Sequence, residues 1–398
     1  MRVSSCSPQA LAMTSTQTHS KGPKDTTVGS ARGPLNASSG TMPPNTASTT
    51  VSTIEQASEE AGEQASEEAN GKTSVKTNGK TGGRTGGRTS GKTRNEPVNR
   101  QGTFTGANSL KLFYQSWYPA ASETTYHTAA VRGVLVLVHG LGEHSGRYCS
   151  VIQALTAAGY AVFAFDNQGH GKSEGQRGHI DSWQNYRDNT AAFLQLVRQQ
   201  EPTAPLFLMG HSLGGLIVLD WVLQKAHAAD FQALNILGLV VSAPPISPSE
   251  GTASQVRIML ARLLSGLFPR LSLKMGLAEC GLSRDQNIAD QLAQDPLIHP
   301  YVTLRWGTET LNTIDWVKSH IHQLQMPILL THGEADPIID VAGSREIFQQ
   351  IGTDRKTLKI YPGSYHEPHN DLDSRLVVRD LIHWMSTQMS AQEEDLAQ

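Results

Sequence analysis

The chain has 398 residues, with 33 basic against 36 acidic side chains and a formal net charge of −3, a balance that leaves no nucleic-acid footprint. The charge divides into about +4 on the first hundred residues and about −7 on the rest. Three cysteines, Cys6, Cys149 and Cys280, are too few and too odd in number for a disulfide framework and show no metal-ligand spacing, which points to a reducing, cytoplasmic compartment.

Residues 1–100 are rich in Ser, Thr, Gly, Asn and charge, and include a tandem pseudo-repeat from Glu55 to Ala69 and Gly-Lys-Thr and Gly-Gly-Arg-Thr units from Gly71 to Thr93. Such a segment buries too little apolar surface to offset its ordering entropy, so a disordered tail is expected. Its polar start lacks an apolar signal region. Gly86 to Thr93 matches the P-loop expression, but repeats precede it and Arg94-Asn95-Glu96-Pro97 follows, where a P-loop needs a strand and a helix. It reads as solvated tail.

From residue 103 the pattern changes. Leu110 to Tyr118 alternates and predicts an antiparallel edge strand; Val134 to Val138 is wholly apolar and predicts a buried strand. A helix is expected over Tyr148 to Ala158, a strand over Tyr160 to Phe165, a helix over Tyr186 to Gln199, and strands over Pro205 to Met209 and Leu237 to Val241. Strands alternating with helices predict an α/β fold with a mostly parallel, doubly covered sheet. The rhythm stops from about Ile246 to Gln325, where an apolar helix from Val256 to Phe268 and no clear strand are seen, so a helical cap is expected. It resumes with a strand over Pro327 to Thr331, a helix over Gly343 to Ile351, a strand over Thr357 to Tyr361 and a helix over Ser374 to Met389. The expected organisation is therefore tail 1–100, core 101–245, cap 246–325, core 326–390 and a short polar end 391–398. No run of eighteen apolar residues occurs, so no transmembrane segment is expected.

The chemistry centres on Gly210-His211-Ser212-Leu213-Gly214, between a strand and an apolar helix. A G-x-S-x-G in that setting reads as a nucleophile elbow: the turn is tight, small residues flank it, and the hydroxyl stands at the carboxyl end of the sheet. A serine hydroxyl needs a histidine base, and the histidine needs a carboxylate. Asp336 and His366 each lie just past a predicted strand, in the chain order Ser, Asp, His. Asp166, Glu334 and Asp340 are rival carboxylates and His369 a rival base. His139, His170, His211 and His332 lie on tight turns, where imidazoles commonly satisfy backbone groups. Oxyanion donors are expected from the backbone N–H of Leu213 and of Leu141, which follows Gly140.

These residues form a family resemblance. The chain resembles the monoacylglycerol lipase and lysophospholipase group of the α/β-hydrolase superfamily in His139-Gly-Leu-Gly-Glu-His-Ser-Gly-Arg-Tyr148, in Asp166 to Arg177, in Gly210-His-Ser-Leu-Gly-Gly215, in Ser242-Ala-Pro244 and in Lys356 to His366, across residues 103–390. The resemblance implies an α/β-hydrolase fold with Ser212 as nucleophile, Asp336 as acid, His366 as base, and Leu141 and Leu213 as the oxyanion hole. It implies release of a fatty acid from a monoacylglycerol or similar lysolipid, with no cofactor and no metal, under a hydrophobic cap. The elbow carries Leu213 where the family commonly has Met, and the cap is the least family-like part. Leu263, Leu264 and Leu267, at helical spacing in the cap, are candidate acyl-chain contacts, and peripheral contact with a membrane through the cap follows from the same apolar face. A small-substrate carboxylesterase, a serine aminopeptidase and a catalytically dead binding protein are the competing readings.

Overall fold

The computed structural model describes residues 96–120, 131–226, 228–247, 262, 264–275 and 281–397. The expected tail therefore lies almost wholly outside the described residues, as do Leu263 and most of the helix predicted from Val256. Eight strands form one sheet: β1 (Val98–Thr105), β2 (Lys111–Tyr118), β3 (Val134–Val138), β4 (Ala161–Phe165), β5 (Leu206–His211), β6 (Ile236–Ser242), and two later strands, Ile328–Gly333 and Lys356–Tyr361. The last two become β9 and β10 once a short pair in the insertion, β7 (Ser272–Lys274) and β8 (Tyr301–Thr303), is counted. The spatial order is β1-β2-β4-β3-β5-β6-β9-β10. β1 with β2 and β2 with β4 run antiparallel, and every pairing from β4 to β10 is parallel.

β3 shows why these sequences become central strands. All five of its residues are buried. Val134, Val136 and Val138 enter one apolar cluster while Leu135 and Leu137 enter the other, because successive side chains point to opposite faces. A strand between two covering layers must be apolar at every position. The first face is covered by α2 (Gln184–Gln200) and α3 (Leu213–Lys225), the second by α1 (Cys149–Ala157) and a C-terminal helix, Ser374–Ala397.

The structure departs from the sequence expectation in four places. β2 is not the edge; β1 is, and its first residue, Val98, lies inside the expected tail. β1 escaped notice because its residues are mostly polar and exposed, as suits an edge strand. The stretch 246–325 contains the antiparallel pair β7 and β8, each three residues long, too short for a period-2 signal. After a four-residue α4 (Ala229–Gln232) come α5 (Gln286–Gln294) and α6 (Leu304–His320). α6 sends Ile314 and Val317 into the core cluster with α3, so it belongs to the layer covering the sheet. Finally, Cys149 is disulfide-bonded; an odd, sparse cysteine set excludes a framework but not one bridge. Cys6 and Cys280 lie outside the described residues.

Two helices complete the order, α7 (Val341–Gln350) and α8 (Ser374–Ala397). Core and insertion fall within one compact unit, 91–398. Among the described residues no helix is long and apolar enough to cross a membrane.

Candidate active site

Ser212 sits between β5 and α3 with φ 50° and ψ −119°. A non-glycine residue in that region stores roughly 1–3 kcal/mol of strain, so the surroundings must enforce it. They do so by close approach. A Cβ on Gly210 would stand 2.2 Å from the Gly214 carbonyl oxygen, and one on Gly214 would stand 2.0 Å from the Val138 carbonyl oxygen. The Ser212 N–H donates to the Ser242 carbonyl at 2.8 Å, pinning the turn to β6. The hydroxyl is thereby aimed out of the sheet ahead of the positive end of α3.

Ser212 Oγ lies 2.9 Å from His366 Nε2, and His366 Nδ1 lies 2.7 Å from Asp336 Oδ2. Asp336 follows β9 by three residues, and its side chain is fully buried. Its Oδ1 accepts the N–H groups of Ile338 and Ile339 at 2.8 and 3.0 Å. Burial pushes this carboxyl up, but hydrogen bonds from His332 and His366 outweigh it and hold it below the usual carboxylate range. The end of β9 packs directly on the histidine loop: a Cβ on Gly333 would stand 2.0 Å from the Tyr365 carbonyl oxygen. That loop is braced from the insertion. The buried Asp371 accepts the Tyr365 N–H at 2.8 Å and the Arg284 Nε–H at 3.0 Å, and the Glu367 N–H donates to the Leu282 carbonyl at 2.9 Å.

The loop after β3 forms the opposite wall. Gly140 passes so close that a Cβ there would stand 3.2 Å from Ser212 Cβ, and Leu141 is the next residue on this loop. Glu143 shapes this loop. Its Oε1 accepts the Gly140 N–H at 2.6 Å and the Tyr148 hydroxyl at 2.7 Å, and its Oε2 accepts from Arg147 at 2.9 Å. Arg147 also grips Glu367 through two bonds of 2.7 and 2.8 Å, joining the β3 loop to the residue after His366. Burial pushes the Glu367 carboxyl up, and the Arg147 charge overrides it and pulls it down. The insertion touches this wall too: the His299 N–H donates to the Gly142 carbonyl at 3.0 Å, and His144 Nε2 meets Asp295 Oδ2 at 2.8 Å.

The structure thus brings Ser212, His366 and Asp336 together, with Leu213 opening α3 and Leu141 on the facing loop. The rivals stand elsewhere. Asp166 accepts the N–H groups of Ser145 and Lys172, Glu334 is exposed beside Arg345, and Asp340 caps α7. His369 is buried against Tyr148, its ring stacked at 4.7 Å, rather than bonded to the serine. Leu264 is half-buried and Leu267 is exposed. His139 serves the backbone as expected, bonding Gly140 O and Asn167 N. His332 does more than that: its Nε2 meets Asp336 Oδ2 as well as the Ile339 carbonyl. The Glu143–Arg147–Glu367 clamp was also not singled out from sequence. Glu143, Arg147 and Tyr148 lie inside the His139 to Tyr148 motif, and the i, i+4 spacing of Glu143 and Arg147 is the available signal. Among the described residues no cluster of His, Cys, Asp and Glu is arranged to hold a metal ion.

A serine hydroxyl beside an imidazole–carboxylate pair can perform acyl transfer. Comparison with known proteins points the same way. A family model described as serine aminopeptidase, S33, matches residues 129–373. The monoacylglycerol lipase of Mycolicibacterium smegmatis is 30% identical over 285 residues, covering 71% of this chain and 95% of that protein. The monoglyceride lipase of Rattus norvegicus is 30% identical over 298 residues, covering 75% and 92%. The crystal structure of Paleococcus ferrophilus monoacylglycerol lipase superposes with a TM-score of 0.60 at 31% identity, covering 70% of this chain and 99% of that one.

Proposed function

The chain belongs to the hydrolase family described as serine aminopeptidase, S33, and is a serine ester hydrolase acting on lipid esters, and we propose that it releases a fatty acid from monoacylglycerol or a similar lysolipid through an acyl-enzyme on Ser212. The observation that carries this reading is the 2.9 Å and 2.7 Å relay from Ser212 through His366 to Asp336. His366 Nε2 takes the hydroxyl proton as Oγ attacks the ester carbonyl. The new oxyanion receives the N–H groups of Leu141 and Leu213. As the tetrahedral intermediate collapses, the imidazolium returns the proton to the leaving glycerol oxygen. Water then repeats the cycle and frees the fatty acid.

The insertion supplies the lipid preference. Leu264 and Leu267 are the candidate acyl-chain contacts, and Leu263, the third named from sequence, lies outside the described residues. Leu267, Phe268, Leu271, Leu273 and Tyr301 leave apolar side chains at the surface, Leu267 at 74% and Phe268 at 57%, and an exposed patch of that kind suits peripheral contact with a lipid surface. The aminopeptidase alternative needs a carboxylate for the free amine. The buried carboxylates flanking the site, Glu143 and Glu367, are both engaged by Arg147, which favours the ester.

The deciding experiment is a panel of monoacylglycerols, lysophospholipids, triacylglycerols, short acetates and aminoacyl amides, run beside fluorophosphonate labelling. Monoacylglycerol turnover with a label lost in Ser212→Ala supports the reading. Faster turnover of the aminoacyl amides, or an unlabelled active enzyme, overturns it.

A further inference from the structure

Asp336 serves two imidazoles. His332, the next-to-last residue of β9, is fully buried, and its Nε2 lies 3.0 Å from the same Oδ2 that His366 Nδ1 reaches at 2.7 Å. The tautomer follows from the partners. A carboxylate only accepts, so His332 donates from Nε2–H, shared with the Ile339 carbonyl at 3.2 Å. Its Nδ1 then accepts from the Ser344 hydroxyl at 2.7 Å, on a serine that is itself buried in the first turns of α7. With both ring nitrogens occupied in the neutral form, this imidazole is fixed as a donor aimed at the acid.

From this we infer that His332 is a positioning residue of the hydrolytic site, which locks the Asp336 carboxylate in place and tempers its pull on His366. The inference rests on the acyl-enzyme reading above. Two donors on one oxygen compete. The share of Oδ2 charge satisfied by His332 is withdrawn from the bond to His366, so the imidazolium of His366 is stabilised less than it would be by an unshared carboxylate. The second donor also stops the carboxylate turning about its own axis while the proton moves to and from Ser212.

Other titratable groups face this trio from neighbouring elements. His211 on β5 has its ring 5.0 Å from His366, and His369 packs against His211 at 4.8 Å. Burial holds both low and neutral. Arg147 and Glu367 remain a charged pair. Glu334 and Asp340, on the Asp336 loop, are exposed, the first toward Arg345. None of these changes charge in step with a substitution at position 332.

The experiment is the pH profile of kcat/KM on a soluble monoacylglycerol for wild type, His332→Leu and His332→Gln, with Ser212→Ala alongside. The profile's acidic limb reports the free enzyme's base, and its position does not depend on how much of a variant is folded. Removing the donor with Leu is expected to move the limb to higher pH by about one unit and to lower plateau kcat by roughly tenfold to a hundredfold, with KM little changed. Gln returns an N–H to the same place and is expected to restore the limb. A role in packing alone predicts equal losses for both variants with the limb unmoved, and that result, or no change in either, overturns the inference. Activity surviving in Ser212→Ala overturns the acyl-enzyme reading instead, whatever position 332 does.

Discussion

The three residues of the relay differ in what holds them. Ser212 is held by strain and His366 by a braced loop, while Asp336 is held by four hydrogen bonds, two from backbone and two from imidazoles. Asp336→Asn keeps the shape but offers an amide where Oδ2 must accept from His366, favouring the wrong tautomer. A loss of about 10⁴ in kcat is expected, with Ser212→Ala in the same background costing little more, since such residues act as a unit. Near-normal activity in Asp336→Asn would pass the acid role to Glu334 or Asp340. The convergence of Ser212, Asp336 and His366 was legible in sequence because each lies just past a strand end, where topology alone brings side chains together. His332 was not, although it sits at such an end too. Its role depends on one oxygen accepting twice, a fact of distance that no spacing rule contains.

At the scale of elements, close approach and open space separate two kinds of glycine. Gly214 lets α3 start against β3, and a Cβ would strike the Val138 carbonyl at 2.0 Å; Gly214→Ala is expected to destroy folding or activity. Gly307 lies in α6 with nothing within 4 Å of an added Cβ, so Gly307→Ala is expected to stabilise by about 0.5–1 kcal/mol. A lowered melting temperature there would refute the helical placement. The segment before α6 gives a pH prediction. Burial, with Arg177 nearby, lowers His299 from its ordinary value to about 4. The unfolded chain therefore binds its proton first as pH falls, so the contribution of neutral His299 is complete above about 6.5 and is lost between there and about 4. Thermal melts across that window are expected to show a shallower acid loss in His299→Gln than in wild type. Parallel curves would mean that His299 titrates as an ordinary imidazole. Sequence periodicity located the buried strands well, since burial on two faces leaves an unbroken apolar run, as in Val134 to Val138. It missed β1 and the β7–β8 pair because polar edges and three-residue strands carry no such run.

For the whole molecule, the boundary between tail and core decides what can be removed. β1 starts at Val98 and pairs along β2 to Thr105, and Phe104 packs on Phe165 and Phe193 with ring centroids at 5.7 and 5.3 Å. Deleting residues 1–95 is expected to leave turnover of a short soluble ester unchanged and to leave no nucleotide binding to lose. Deleting 1–105 is expected to bare the β2 edge and produce aggregation. Measurable ATP binding by the full chain, lost in the shorter deletion, would reinstate the P-loop reading.

The insertion reaches both walls of the site. His299 and Asp295 hold the loop after β3, while Leu282 and Arg284 hold the loop that carries His366. A lid that only covered the entrance could be traded freely between relatives to alter diet. This one is also a keystone: the segment we propose to screen the ester also ties down the two loops beneath it. Substitutions that retune substrate preference are therefore expected to be tolerated in the stretches between those anchor points, and a wholesale graft of a foreign lid is expected to bring a new appetite together with a slackened engine.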